Sequence, residues 1–113
     1  MARDTPRGDV PLLVLAVLAE SPRHGYAIAR AIEQEGEKVL QLREGALYPA
    51  LRVLEQDGLI TGAWDIQTSG PARKVYSITA EGQAELTKRT REWKQYARLM
   101  TNLLGGLEDA QPA

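Results

Sequence analysis

The run from Leu42 to Ile60, Leu-Arg-Glu-Gly-Ala-Leu-Tyr-Pro-Ala-Leu-Arg-Val-Leu-Glu-Gln-Asp-Gly-Leu-Ile, constrains this chain most because it can bury only one of its sides. Leu47, Ala50, Leu51 and Leu54 recur at the three-and-four spacing of one helical stripe, while Tyr48, Pro49, Arg52 and Gln56 fall opposite. One side enters a core; the other is offered to a partner. Pro49 lacks an N–H and disfavours helical angles at Tyr48, so the helix is expected to begin near Ala46. Pro49 then lies in the first turn, where N–H groups have no intrahelical partner anyway. Gly58 can take a positive φ and stop the helix, and Leu59-Ile60 then start a strand.

At 113 residues the chain has room for one domain with a modest core and an arm. Fourteen lysines and arginines against fifteen acids give a net charge of −1, so a nucleic-acid role must rest on where cations sit rather than on their number. There is no cysteine and a single histidine, His24, which excludes disulfides, thiolate metal sites and a multi-histidine site within one chain. A catalytic triad is equally hard to assemble, and His24 has no acidic or nucleophilic neighbour in sequence, which points to a structural role. No enzyme activity and no cofactor are expected. The apolar run Pro11–Ala19 is too short to span a bilayer, and Asp4 and Asp9 interrupt the basic flank a secretory signal would need. It reads as a buried first helix, so the protein is expected in the cytoplasm with no membrane partner.

Met1 to Gly8 is polar and without periodicity, a flexible N-terminal arm. Asp9 caps a helix over Val10 to Ala19, with Pro11 tolerated in its first turn and Ser21-Pro22 ending it. His24-Gly25-Tyr26 opens a second helix with Ala27, Ile28, Ala31 and Ile32 on one side, ending near Gly36, and Val39, Leu40 and Leu42 bridge to the central helix. Two short helices joined in this way, the second with an exposed N-terminal end, have the arrangement of a helix-turn-helix. Ile60 to Trp64 and Arg73 to Ile78 read as a hairpin around a turn-rich tip, with Arg73 and Lys74 just beyond it. Cations at the end of a hairpin that follows a recognition-type helix describe a wing.

Thr79 caps the last helix, although Gly82 stands where a capping box would place Glu or Gln. From Ala80 to Leu104 that helix would form a rod of roughly 37 Å at ~1.5 Å per residue, longer than this core needs. Leu86, Trp93, Met100 and Leu107 recur every seven residues, with Leu103 and Tyr96 between them and Arg89 breaking the pattern. This is the seam of a paired helix, so the chain is expected to be a homodimer. Near a two-fold axis Trp93 would face its own copy, and with Tyr96 and Met100 it could line a slot for a planar aromatic effector. Packing alone is the other reading of Trp93.

These motifs, in this order, resemble the PadR family of bacterial transcriptional regulators, in particular its short subfamily with a single C-terminal helix. The markers are Leu12-Leu13-Val14-Leu15, His24-Gly25-Tyr26, Glu44-Gly45-Ala46-Leu47-Tyr48-Pro49-Ala50-Leu51, Leu54-Glu55, Gly58-Leu59-Ile60, and Arg73-Lys74-Val75-Tyr76-Ser77-Ile78-Thr79. The resemblance implies a mainly α fold with a small β-hairpin. Residues 9–79 would form a winged helix-turn-helix domain, 80–104 a dimerisation helix and 105–113 a flexible tail. It implies a repressor that binds double-stranded DNA at an inverted repeat and releases it when a small molecule arrives. The candidate DNA contacts are Tyr26, Arg43, Gly45, Ala46, Tyr48, Pro49, Arg52, Arg73 and Lys74. The competing reading is a ligand-binding or protein-interaction module that keeps the winged-helix shape with little DNA affinity, which the near-neutral charge permits.

Overall fold

The structure is a computed structural model and describes residues 9–36, 44–66 and 70–105. Four helices and three strands follow in the order α1 (Val10–Glu20), β1 (Arg23–His24), α2 (Gly25–Gly36), α3 (Glu44–Gln56), β2 (Ile60–Asp65), β3 (Arg73–Ile78) and α4 (Ala80–Leu104). The expected mainly α fold with a β-hairpin is borne out. The bridge through Val39, Leu40 and Leu42, the N-terminal arm and most of the tail lie outside the described residues.

Helix α1 is apolar on nearly every side, which suits its central position against α2, α3, α4 and β3. The Asp9 carboxylate accepts from the Leu12 N–H at 3.2 Å, and the chain leaves the helix at Ser21 in an extended conformation ahead of Pro22. Val14, Leu15 and Leu18 of α1 meet Ile28 and Ile32 of α2 and Leu47, Leu51 and Leu54 of α3 in one buried cluster, closed by Leu59, Ile60 and Tyr76. The inner stripe of α3 is thus the one its spacing predicts. Its start is not. The helix begins at Glu44 rather than near Ala46, which moves Pro49 from the first turn into the helix interior. Proline there removes one hydrogen bond, to the Gly45 carbonyl four residues back. Both Gly45 and Pro49 are exposed, so water can take the freed carbonyl.

The end of α3 is closed by two bonds of a Schellman arrangement: Leu59 N–H donates to the Leu54 carbonyl at 2.9 Å and Gly58 N–H to the Glu55 carbonyl at 3.1 Å. Gly58 carries the required φ of 76°. Thr79 then ties this turn to α4. Its hydroxyl donates to the Gly58 carbonyl at 2.7 Å and accepts from the Gly82 N–H at 2.9 Å, and its own N–H donates to the Leu59 carbonyl at 3.0 Å. Gly82 departs from the capping-box pattern for a steric reason. A Cβ there would overlap the Leu59 carbonyl oxygen and lie 2.7 Å from Ile78 Cγ1. The Leu59 backbone, just before β2, occupies the space a glutamate would need.

The sheet is antiparallel with β3 in the middle, order β1-β3-β2. The hairpin pairs Ile60 with Ile78 and Asp65 with Arg73, while Arg23 and His24 of β1 pair with Tyr76 and Val75 on the other edge of β3. The two-residue β1 is too short to leave a periodic signal in sequence. Helix α4 packs its first turns on α1 and β3 and then runs past the domain, which stretches the molecule to 57 × 28 × 26 Å.

Replacing Gly82 by Ala is expected to destabilise the fold by about 1–3 kcal/mol through overpacking, despite alanine's better helix propensity. Thr79→Ala should cost about 1–2 kcal/mol by removing the cap. Urea denaturation followed by circular dichroism checks both, and a Gly82→Ala variant at least as stable as the parent would contradict the packing described.

Candidate nucleic-acid interface

The side of α3 that the core does not take carries Tyr48, Pro49 and Arg52, all exposed, with Gly45 and Ala46 exposed in the turn before them. Arg43, the remaining candidate next to this helix, lies outside the described residues. Tyr48 extends toward the N-terminus of α2, and its position explains the glycine of His24-Gly25-Tyr26. A Cβ on Gly25 would stand 2.8 Å from the Tyr48 hydroxyl and 3.1 Å from its ring. Gly25 lets two helices share one aromatic side chain at their junction. Tyr26 is exposed beside it. Its hydroxyl accepts from Arg30 Nη1 at 3.0 Å, and the same guanidinium lies 5.7 Å from the Tyr26 ring centroid.

The wing faces the same side. Arg73 is exposed at the start of β3, with Nη1 at 3.2 Å from His24 Nε2. An arginine only donates, so a hydrogen bond here has His24 Nε2 as its acceptor. This gives His24 a definite structural task, holding a cation of the wing against β1. Lys74 is engaged differently. Its ammonium lies 3.2 Å from Glu55 of α3 and 5.4 Å from the centroid of the Tyr76 ring. Burial pushes the Tyr76 phenol above its usual pKa, an effect that the Lys74 charge partly offsets and Glu55 reinforces. Between wing and helices lies an open cleft of about 710 Å³, walled by Tyr26, Tyr48 and Trp64 with Arg73 at its edge.

Along α4 the exposed large apolar side chains are Trp93, Tyr96, Leu99, Met100, Leu103 and Leu104, with Leu103 the most open at 72 %. Trp93 and Tyr96 meet edge to face, centroids 5.9 Å apart and planes at 84°. Leu86, first of the seven-residue series, is half-buried against the domain's own core. Leu107, the last, lies outside the described residues. Arg89, which breaks the pattern, donates to Glu85 at 2.6 Å, and that hydrogen bond holds the Glu85 carboxyl below its usual pKa.

Four residues join these surfaces that the sequence did not single out. Trp64, 67 % exposed, projects from the wing, and Glu55 reaches it from α3. Leu99 and Leu104 widen the apolar face of α4. Glu55 stood within a recognisable motif, but its partner is 19 positions away and only the tertiary fold pairs them. Among the described residues no group of three potential metal ligands occurs, and none of the described helices is long and apolar enough to cross a membrane.

Three helices with a hairpin after the third, the outward sides of α3 and the hairpin aligned, define a winged helix-turn-helix domain. The family model of PadR-like transcriptional regulators matches residues 14–88. The chain belongs to that family, one of DNA-binding regulators and not of enzymes. It is 35 % identical over 104 residues to transcriptional regulator Rv3488 of Mycobacterium tuberculosis, a match covering 92 % of this chain and 91 % of that one. The negative transcriptional regulator PadR of Bacillus subtilis is 29 % identical over 73 residues, 65 % of this chain but 40 % of its own length. Among solved structures, a transcriptional regulator from Clostridium thermocellum superposes with a TM-score of 0.78 at 28 % identity, covering 85 % of this chain and 93 % of that one. A PadR family regulator from Clostridium difficile R20291 does so with a TM-score of 0.73 at 30 % identity, covering 86 % and 99 %.

The contact between Gly25 and Tyr48 generates a prediction about coupling. Gly25→Ala should destabilise the parent by about 1–2 kcal/mol. In a Tyr48→Ala background, where the obstructing ring is gone, the same change should have almost no cost. Equal penalties in a double-mutant denaturation cycle would show that the two residues do not touch.

Proposed function

We propose that the protein is a homodimeric repressor that binds an inverted-repeat operator and leaves it when a planar aromatic effector occupies the dimer seam. The observation that carries this reading is the run of exposed large apolar side chains on α4 from Trp93 to Leu104, beyond the winged domain. A lone chain would leave that surface in water, whereas two copies would bury it against one another. Each such side chain contributes roughly 1.5–3 kcal/mol on burial, enough in sum to sustain a dimer. In this reading residues 9–79 read DNA and 80–104 dimerise, with 1–8 as a flexible arm and 105–113 as a flexible tail.

On each protomer α3 enters the major groove, where Tyr48 and Arg52 meet base edges and nearby phosphates, with Gly45, Ala46 and Pro49 allowing the backbone to approach. Tyr26 and Arg73 flank it on the sugar-phosphate backbone. Two such helices about 34 Å apart would match half-sites one turn apart. The edge-to-face pair of Trp93 and Tyr96, with Met100 one turn on, supports an apolar slot at the seam. An effector there shifts the protein off DNA only by binding the DNA-incompatible arrangement more tightly.

Two outcomes are expected. In binding titrations with the DNA upstream of its own gene, Arg73→Ala should weaken binding to all sequences and flatten the salt slope by about 0.9, whereas Arg52→Ala should relax sequence preference by about 1–3 kcal/mol. Parent-like behaviour of both variants would move the interface to another face. For the seam, Leu99→Glu with Leu103→Glu should weaken dimerisation at least about a hundredfold in sedimentation experiments, with helix content unchanged. In a Trp64→Phe background the same pair should also abolish quenching of Trp93 by flat aromatic compounds. Quenching that persists in the monomer would leave Trp93 as packing.

A further inference from the structure

A cation at the end of a wing is ordinarily solvated and free to meet a phosphate. Lys74 is held instead. Its side chain is 31 % exposed and that of Glu55 33 %, with the ammonium 3.2 Å from the carboxylate. In the hairpin Lys74 stands opposite Trp64 and its neighbour Tyr76 stands opposite Gly62. The lysine runs back over Gly62 toward α3, and a Cβ on Gly62 would overlap Lys74 Cε and come within 3.2 Å of Glu55 Oε2. The ring of Tyr76 flanks the ammonium on the strand side. One glycine, one aromatic ring and one carboxylate thus make a seat for a single side chain joining the wing to the helix.

We propose that Glu55 and Lys74 form a strut that sets the angle of the wing against α3, so that Lys74 is a positioning residue rather than a phosphate contact. The inference rests on the DNA-binding reading above, within which Arg73 reaches the phosphate and Lys74 fixes where Arg73 stands. A wing that is already at its bound angle loses less conformational freedom on docking, which raises affinity without adding a contact to DNA. Glu55 is essential to this role although it is an acid at a DNA-facing surface. If Lys74 instead met a phosphate, the nearby carboxylate would only repel DNA, and its removal would strengthen binding.

The two roles predict opposite signs. For a strut, Glu55→Gln, Lys74→Met and Gly62→Ala should each weaken DNA binding roughly three- to tenfold, by analogy with other partly exposed ion pairs and ordering losses. The salt slope should stay at its parent value, because no phosphate contact is lost. The Glu55→Gln/Lys74→Met double variant should bind no more weakly than either single variant. A readout without DNA separates this inference from the reading it rests on. In a Trp93→Phe background, Trp64 reports on the wing, and both single variants should lower its time-resolved anisotropy while thermal unfolding and helix content confirm the fold. Lower anisotropy in a protein that binds no promoter DNA would retain the strut and overturn the DNA-binding reading. Tighter DNA binding by Glu55→Gln, a salt slope reduced by about 0.9 in Lys74→Met, or unchanged Trp64 anisotropy in both variants would overturn the strut.

Discussion

The placement of the outer side of α3, of the wing and of α4 depends on how the chain leaves α3. The turn at Asp57-Gly58 places Leu59 under the first turn of α4, and Thr79 bonds to both sides of that junction. These few contacts decide three directions at once: where α3 stops, where the hairpin begins and along which line α4 leaves the domain. Interiors are close-packed, so an error of even a methyl group at Gly82 has to be absorbed by strand or helix. Helix α3, the wing and the α4 rod are therefore coupled geometrically through one small knot of backbone.

The face itself is assembled by close approaches that glycine permits. Gly25 admits the Tyr48 ring between α2 and α3, and Gly62 admits Lys74 between wing and α3. In both cases a long side chain crosses from one element to another, and the missing Cβ is what allows it. Under the proposed function, this arrangement reconciles DNA binding with a net charge of −1. Cations do not outnumber acids, but Arg73 and Lys74 each have a fixed partner on a different element, His24 and Glu55, so charge is placed rather than accumulated.

The local elements were legible in the sequence because they rest on local rules. Asp9 and Thr79 as caps, Gly58 as a stop, the stripe Leu47, Ala50, Leu51 and Leu54, and the span of α4 all follow from spacing and from which backbone groups need a partner. The start of α3 did not, because the rule against helical angles before proline competes with two further residues of helix, and exposure of Gly45 and Pro49 tips the balance. Strand β1 escaped notice because its two residues are ordered by β3, not by their own pattern.

Spacing, caps and turn residues assign the helices and hairpin strands and the side of each helix that enters the core, because these rest on local patterns, and the order of the motifs along the chain marks a PadR-like regulator. What Arg73, Lys74 and Leu86 touch follows only from the folded arrangement. His24 and Arg73 lie 49 positions apart and Glu55 and Lys74 lie 19 apart, so no periodicity links them. Leu86 fits the seven-residue series yet packs on its own domain, because the first turns of α4 lie over α1 before the rod leaves it. A repeat fixes the side of a helix a residue occupies; what lies against that side is settled by chain brought in from elsewhere.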